Sequence, residues 1–73
     1  MSGTHDRLVY MANQIARNFA VQGETVAIAA TARHIHDFWD PRMRDAIMAG
    51  DDAGLSDIAA GAIARLRGTL RSG

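Results

Sequence analysis

The absence of cysteine from a chain of only 73 residues is the feature that most limits how this protein can fold. A domain of this size buries only about 60% of the surface of its unfolded chain, so small folds usually need a disulfide, a metal or a partner. Without cysteine, disulfides, thiolate metal sites and iron–sulfur ligation are all excluded. The remaining stabilisers are close helix packing and binding to another protein, and we expect both.

Hydrophobic side chains recur with the period of a helix along most of the chain, and no run alternates as a strand would. Alanine, the residue with the best helix propensity, is the commonest residue. We therefore predict an all-α fold, a single domain over residues 1–73 formed by a small bundle of about four short helices. The predicted helices cover residues 4–19, 25–38, 41–49 and 56–70.

Each predicted helix has one apolar side, which we expect to face the core. In chain order these side chains are Leu8, Met11, Ala12, Ile15, Ala16 and Phe19, then Ile28, Ala32, Ile35 and Trp39, then Met43 and Ile47, and finally Leu55, Ile58, Ala59, Ala62, Ile63, Leu66 and Leu70.

Residues typical of helix ends stand at the predicted boundaries. The strongest signal is Asp40-Pro41, because the residue before a proline avoids the helical region and a proline at the first helical position loses no hydrogen-bond donor. Asp40 should therefore be an N-cap whose carboxylate accepts amide hydrogen bonds. Thr4 and Ser56 are expected to cap the first and last helices, and Gly50 to end the third.

The charge pattern argues against nucleic-acid binding. Eight basic and eight acidic residues give a formal net charge of zero, and every basic residue is arginine. Nucleic-acid-binding domains usually carry a basic stripe, whereas these arginines are spread along the chain. No apolar stretch approaches the length of a membrane span, so we expect a cytoplasmic protein.

Candidate metal and catalytic residues are few. His34 and His36 point about 200° apart around a helix, so they cannot bind one ion together. His36 and Asp40 lie four residues apart and could, but two ligands are too few. No serine has a base nearby, no paired carboxylates mark a cleft, and the glycines do not fit phosphate-loop spacing. We expect no catalytic, cofactor-binding or metal-binding residue, and no independent enzyme activity.

The segment from Phe38 to Arg44 has the composition of an interface. Tryptophan and arginine are over-represented at interface hot spots, and methionine is enriched as well. Trp39 is expected to lie mostly in the core. Arg42 and Arg44 should either contact a partner or pair within the chain, with Asp37, Asp40 or Asp45.

Two segments together carry a family resemblance. They are LVYMANQIA at residues 8–16, and HI at residues 34–35 followed by FWDPRMR at residues 38–44, with a weaker match at Gly54-Leu55. They resemble the delta subunit of cytoplasmic NAD-dependent formate dehydrogenases that contain molybdenum or tungsten. The resemblance extends over nearly the whole chain.

The resemblance implies a set of partners. In that family the alpha subunit carries a bis-molybdopterin guanine dinucleotide and iron–sulfur clusters, the beta subunit holds FMN and the NAD site, and the gamma subunit adds a cluster. The delta subunit carries no redox centre, which implies that this chain holds no cofactor. Its implied role is to bind the alpha subunit and to stabilise the complex or support insertion of the molybdenum cofactor, without contacting nucleic acid or membrane.

We predict that partner-binding residues lie in the two matching segments. They are Phe38, Trp39, Asp40, Arg42, Met43, Arg44, Asn13 and Gln14. Two other functions remain open from the sequence. One is a maturation chaperone that binds transiently and leaves. The other, less favoured, is a helical DNA-binding regulator whose helix over residues 41–49 would recognise the DNA.

Overall fold

Helices form almost all of the structure, a computed structural model that describes residues 3–72 and the side chains of residues 3–68. Helix α1 spans Thr4–Phe19, α2 spans Glu24–Phe38, α3 spans Pro41–Ala49 and α4 spans Asp57–Ser72. A short 3-10 helix, Ala20–Gln22, joins α1 to α2. No strand forms within residues 3–72, which confirms the predicted all-α class.

Three helix boundaries differ from the predicted ones: the start of α2 and both ends of α4. Helix α2 begins at Glu24, one residue early, because Gly23 adopts φ 100° and ψ 152° and separates it sharply from the 3-10 turn. A positive φ of this kind strains any residue with a Cβ, so glycine suits this position. Helix α4 begins at Asp57, one residue after the predicted start at 56, and continues to Ser72, two residues beyond the predicted end at 70.

The core lies between α2 and α4, which make the most extensive contact of the fold, and α1 packs against both. The shorter α3 contributes one fully buried side chain, Ile47. The predicted core residues that are buried are Leu8, Ala12, Ala16, Ala32, Ile35, Trp39, Ile47, Ala59, Ala62, Ile63 and Leu66. Those packed against them and partly buried include Met11, Ile15, Met43, Leu55 and Ile58, whereas Leu70 falls outside the described side chains.

The inward face of α2 differs from the predicted seam at its N-terminal half. Ala27 and Thr31 are fully buried, whereas Ile28, predicted to face the core, is only partly buried. Ile28 instead packs over Gly61 of α4, where a Cβ would lie 2.8 Å from the Ile28 Cδ1 atom. Small side chains therefore set the position of α2: alanine in the core, and a glycine where the isoleucine meets α4.

The predicted cap at the start of α1 is wrong, and those of α3 and α4 are right. Thr4 is the first helical residue, and the N-cap is Gly3, in an extended conformation with no side chain to offer. At α3 the Asp40 carboxylate accepts the backbone N–H of Met43 at 3.0 Å, with Pro41 at the first helical position. At α4 the Ser56 hydroxyl accepts the backbone N–H of Ala59 at 3.2 Å.

Gly50 ends α3, but not through the left-handed conformation that glycine often adopts there. Its backbone is extended, with φ −78° and ψ 176°. The glycine provides space: a Cβ at this position would meet the His5 ring, only 2.9 Å from Nε2. The start of α1 therefore packs against the end of α3.

The buried hydroxyl of Thr31 generates a stability prediction. Its Oγ1 has no hydrogen-bond partner among the described residues. An unsatisfied buried polar group costs about 1–3 kcal/mol, so Thr31→Val should raise the free energy of unfolding by about 1 kcal/mol. Urea unfolding followed by circular dichroism measures this, and the exposed Thr25→Val serves as the matched control with little change. A loss of stability in Thr31→Val would show that the hydroxyl is bonded in solution.

Candidate partner-binding surface

Two neighbouring aromatic side chains at the end of α2 point in opposite directions. Phe38, the last residue of α2, is 74% exposed, whereas Trp39 is 6% exposed and belongs to the core. Trp39 leaves the helix with φ −84° and ψ 141°, an extended conformation that precedes the Asp40-Pro41 start of α3. The expectation that Trp39 is mostly core is confirmed, and of these two aromatic side chains Phe38 is the one that another molecule can reach.

An aromatic row, formed by Phe19, His34 and Phe38, crosses from α1 onto the outer side of α2. The His34 ring stacks on Phe38 with a centroid distance of 4.7 Å and an interplanar angle of 36°. The His34 ring also meets Phe19 edge-on, at 6.5 Å and 62°. His34 and Phe38 are four residues apart, so helix geometry places them on the same side. The row supports one side of the exposed Phe38 ring.

The two arginines of the FWDPRMR segment differ in what they contact. Arg44 donates from Nη1 to the backbone carbonyl of His36 at 2.9 Å and so satisfies a carbonyl at the end of α2. It is not paired with any of the three aspartates considered from the sequence. Arg42 is exposed and contacts no acceptor among the described residues. Of the two, Arg42 is the charge available to another molecule.

The Asp37 carboxylate is paired with two side chains of its own helix, α2. Its Oδ2 atom accepts from Arg33 Nε at 2.8 Å, and its Oδ1 atom lies 3.1 Å from His36 Nδ1. These contacts, the one with His36 first and the one with Arg33 second, hold the pKa of Asp37 below its ordinary value of 3.8. The carboxylate therefore stays charged at neutral pH, and it adds no unbalanced charge beside the aromatic row.

The predicted residues of α1 lie apart from this corner and have contacts of their own. The Asn13 amide donates to the carbonyl of Gly54 at 2.8 Å, and its oxygen accepts the backbone N–H of Ser56 at 2.8 Å. It thus braces the loop before α4 on both sides. Gln14 is exposed and donates from Nε2 to the Tyr10 hydroxyl at 3.2 Å. The structure does not bring these two side chains together with Phe38.

Arg67 has a structural role that sequence reasoning missed. From α4 it donates Nε to the carbonyl of Met48 at 3.0 Å and Nη2 to that of Gly50 at 2.9 Å. Its Nη1 atom lies 3.2 Å from Asp52 Oδ1. The arginine therefore caps the C-terminal end of α3, where cations are favoured. Its place in the sequence could not show this contact, because only the tertiary fold brings Arg67 of α4 to the end of α3.

The described part of the chain contains no group of three or more His, Asp or Glu side chains that could hold a metal ion. No helix among the described residues is long and apolar enough to cross a membrane. A cleft of about 360 Å³ lies between α1 and the start of α4, and it is lined by Asn13, Ala16, Arg17, Ala20, Ser56, Asp57 and Ile58.

Comparison with known families decides the identity of this fold. Residues 7–63 match the family described as NADH-dependent formate dehydrogenase delta subunit FdsD. The chain belongs to this family. The match includes both resemblance segments, α1 from its second turn, all of α2 and α3, and the start of α4. No curated protein and no solved structure gives a significant match to this family member.

The opposite burial of Trp39 and Phe38 predicts opposite effects of truncation in this delta-family chain. Trp39→Ala should cost about 3–5 kcal/mol, which is as large as the whole stability of many folds of this size. Phe38→Ala should cost at most about 1 kcal/mol, because the ring is mostly exposed and loses only its contact with His34. Thermal unfolding followed by circular dichroism separates the two. Equal losses would contradict the assignment of Trp39 to the core.

The Arg67 cap predicts a second stability difference in the delta-family chain. Arg67→Met keeps most of the side chain but removes the guanidinium, leaving the carbonyls of Met48 and Gly50 without their donors. We expect a loss of about 1–3 kcal/mol in the free energy of unfolding. The matched control is Arg17→Met, since Arg17 is exposed and has no hydrogen-bond acceptor among the described residues. If both variants unfold alike in urea, the cap contributes nothing.

Proposed function

We propose that this chain is a non-catalytic accessory subunit that binds the catalytic alpha subunit of a cytoplasmic NADH-dependent formate dehydrogenase. The observation that carries the proposal is the family match over residues 7–63, whose description names a delta subunit of that enzyme. A subunit needs a surface that recognises the rest of its complex. The exposed Phe38 at the corner between α2 and α3 supplies a large apolar contact of the right kind.

The same proposal includes that this chain has no catalytic activity of its own. The Asp40 carboxylate caps α3, and the Arg44 guanidinium donates to the carbonyl of His36 at the end of α2. The Asn13 amide holds the loop before α4. Polar groups in the segments that carry the family resemblance therefore serve the fold. We propose that formate oxidation, NAD reduction and all cofactors belong to other subunits.

The predicted partner-binding residues divide into two groups by what they do in the free chain. Phe38, Arg42 and Gln14 are exposed and can touch a partner directly. The other predicted residues are buried, half-buried or engaged in hydrogen bonds. Four of them, Trp39, Asp40, Met43 and Arg44, would support the corner between α2 and α3, whereas Asn13 holds the loop before α4. Arg42 is a cation with no acceptor among the residues that the structure describes, and it would favour a carboxylate on the partner.

Binding to the alpha subunit can serve two ends, stabilisation of the assembled complex or insertion of its molybdenum cofactor. A stable subunit remains in the finished enzyme in fixed ratio. A transient maturation chaperone would be recovered with the alpha subunit alone and in smaller amounts. The composition of the purified complex therefore distinguishes the two.

Affinity purification of the tagged chain from its native cells tests the proposal. At high salt we expect the formate dehydrogenase subunits to be retained in fixed ratio, as identified by mass spectrometry. Arg42→Glu should weaken binding about tenfold at low salt and make it less sensitive to salt, because it reverses a charge at the contact. Arg7→Glu is the matched control: it reverses an exposed arginine that has no acceptor among the described residues.

Recovery of no formate dehydrogenase subunit with the wild-type chain would overturn the proposed function. Equal retention with Arg42→Glu and Arg7→Glu would leave the function standing but remove Arg42 from the contact. Deletion of the chain gives an independent readout. Loss of molybdenum from the remaining enzyme indicates a role in cofactor insertion, and loss of subunits from an enzyme that keeps its molybdenum indicates a role in stability.

A further inference from the structure

We infer that the aromatic row of Phe19, His34 and Phe38 is the anchor of the docking surface, and that it enters an apolar recess on the formate dehydrogenase complex. This inference rests on the proposed function and adds two residues, Phe19 and His34, that are not among the partner-binding residues predicted from the sequence. It also commits to the chemistry of the partner: an uncharged recess, with an acidic side chain at its rim for Arg42.

The row holds the Phe38 ring in place before any partner arrives. His34 stacks against the ring at 4.7 Å, and Phe19 supports His34 from α1 at 6.5 Å. Phe19 and His34 are half-buried, whereas Phe38 is 74% exposed. An aromatic side chain has few rotatable bonds, and a supported one loses little freedom on binding, so it contributes more of its contact energy to affinity.

The charges around the row favour an apolar partner surface over an anionic polymer or lipid. Arg33 is paired with Asp37 at 2.8 Å, and Asp37 is also hydrogen-bonded to His36, so this side of α2 carries no large unbalanced charge. Nucleic-acid and anionic lipid surfaces are bound by clusters of unpaired basic residues. Arg42, just beyond the corner, is a single exposed cation, which suits one carboxylate on the rim of a protein recess.

The area of the row argues against a second copy of this chain as the occupant. Aromatic side chains bury about 150–250 Å² each when fully covered, and two of the three rings here are already half-buried. Each copy therefore offers on the order of 250 Å² at the row. Two rows facing each other would bury on the order of 500 Å², well below the roughly 1,200 Å² of a stable interface. A larger surface that encloses the row is needed.

The test measures how long the other subunits remain bound to variants of the tagged, full-length chain. The chain is co-expressed with the formate dehydrogenase subunits, captured on a surface, and washed while the release of the bound subunits is followed. We expect Phe38→Ala to speed release at least about tenfold, because truncation of an anchoring aromatic acts mainly on dissociation. Phe38→Leu keeps apolar volume but loses the ring, so its release rate should lie between those of the wild-type chain and Phe38→Ala.

Val21→Ser is the matched control, since Val21 is 90% exposed and lies outside the row. It should release the subunits at the wild-type rate. Circular dichroism shows that each variant is folded, and sedimentation velocity of the free chain reports self-association.

Four outcomes distinguish a failure of this inference from a failure of the proposed accessory-subunit function. Fast release from Phe38→Ala, with Val21→Ser unchanged, supports the row as the anchor. Wild-type release rates in Phe38→Ala overturn the inference and leave the accessory-subunit function intact. A free chain that dimerises through Phe38 would assign the row to a second copy and also overturn it. Failure of the wild-type chain to hold any formate dehydrogenase subunit would overturn both the inference about the row and the proposed accessory-subunit function.

Discussion

The break between α2 and α3 at Asp40-Pro41 is the constraint on which the rest of the structure depends. Residues before proline avoid the helical region, so α2 stops and the chain turns within two residues. The turn directs Trp39 into the core and leaves Phe38 on the surface. It also starts α3 with a capped, proline-led first turn. One local backbone restriction thus provides both the largest core side chain and the most prominent exposed aromatic ring.

Features encoded by neighbouring residues were predictable from the sequence. The class of fold, the cap at Asp40, the cap at Ser56 and the burial of Trp39 all follow from residues close together in the chain. The N-cap at Thr4 was wrong for a local reason as well. The helix already begins at Thr4, and Gly3 before it adopts the extended conformation that belongs to a cap. Side-chain preference alone could not choose between these adjacent positions.

Features that depend on distant parts of the chain could not be predicted in the same way. Arg67 reaches carbonyls 17 and 19 residues away, and Asn13 reaches Gly54 and Ser56 across more than half of the chain. The partial burial of Ile28 has a similar origin, because its position depends on Gly61 of another helix. The aromatic row needs the end of α1 beside the C-terminal part of α2. A period in one helix carries no information about such neighbours.

The two glycines within α4 have opposite consequences for anyone who wishes to make this protein more robust. Replacing a helical glycine with alanine normally gains about 1 kcal/mol of helix propensity. At Gly68 the added methyl group would meet nothing within 4 Å, so this gain should be available there. At Gly61 the same methyl group would press on Ile28 and force it, or α2 itself, to move. The tolerance of a position to a stabilising substitution is thus set by the facing helix rather than by the residue's own helix.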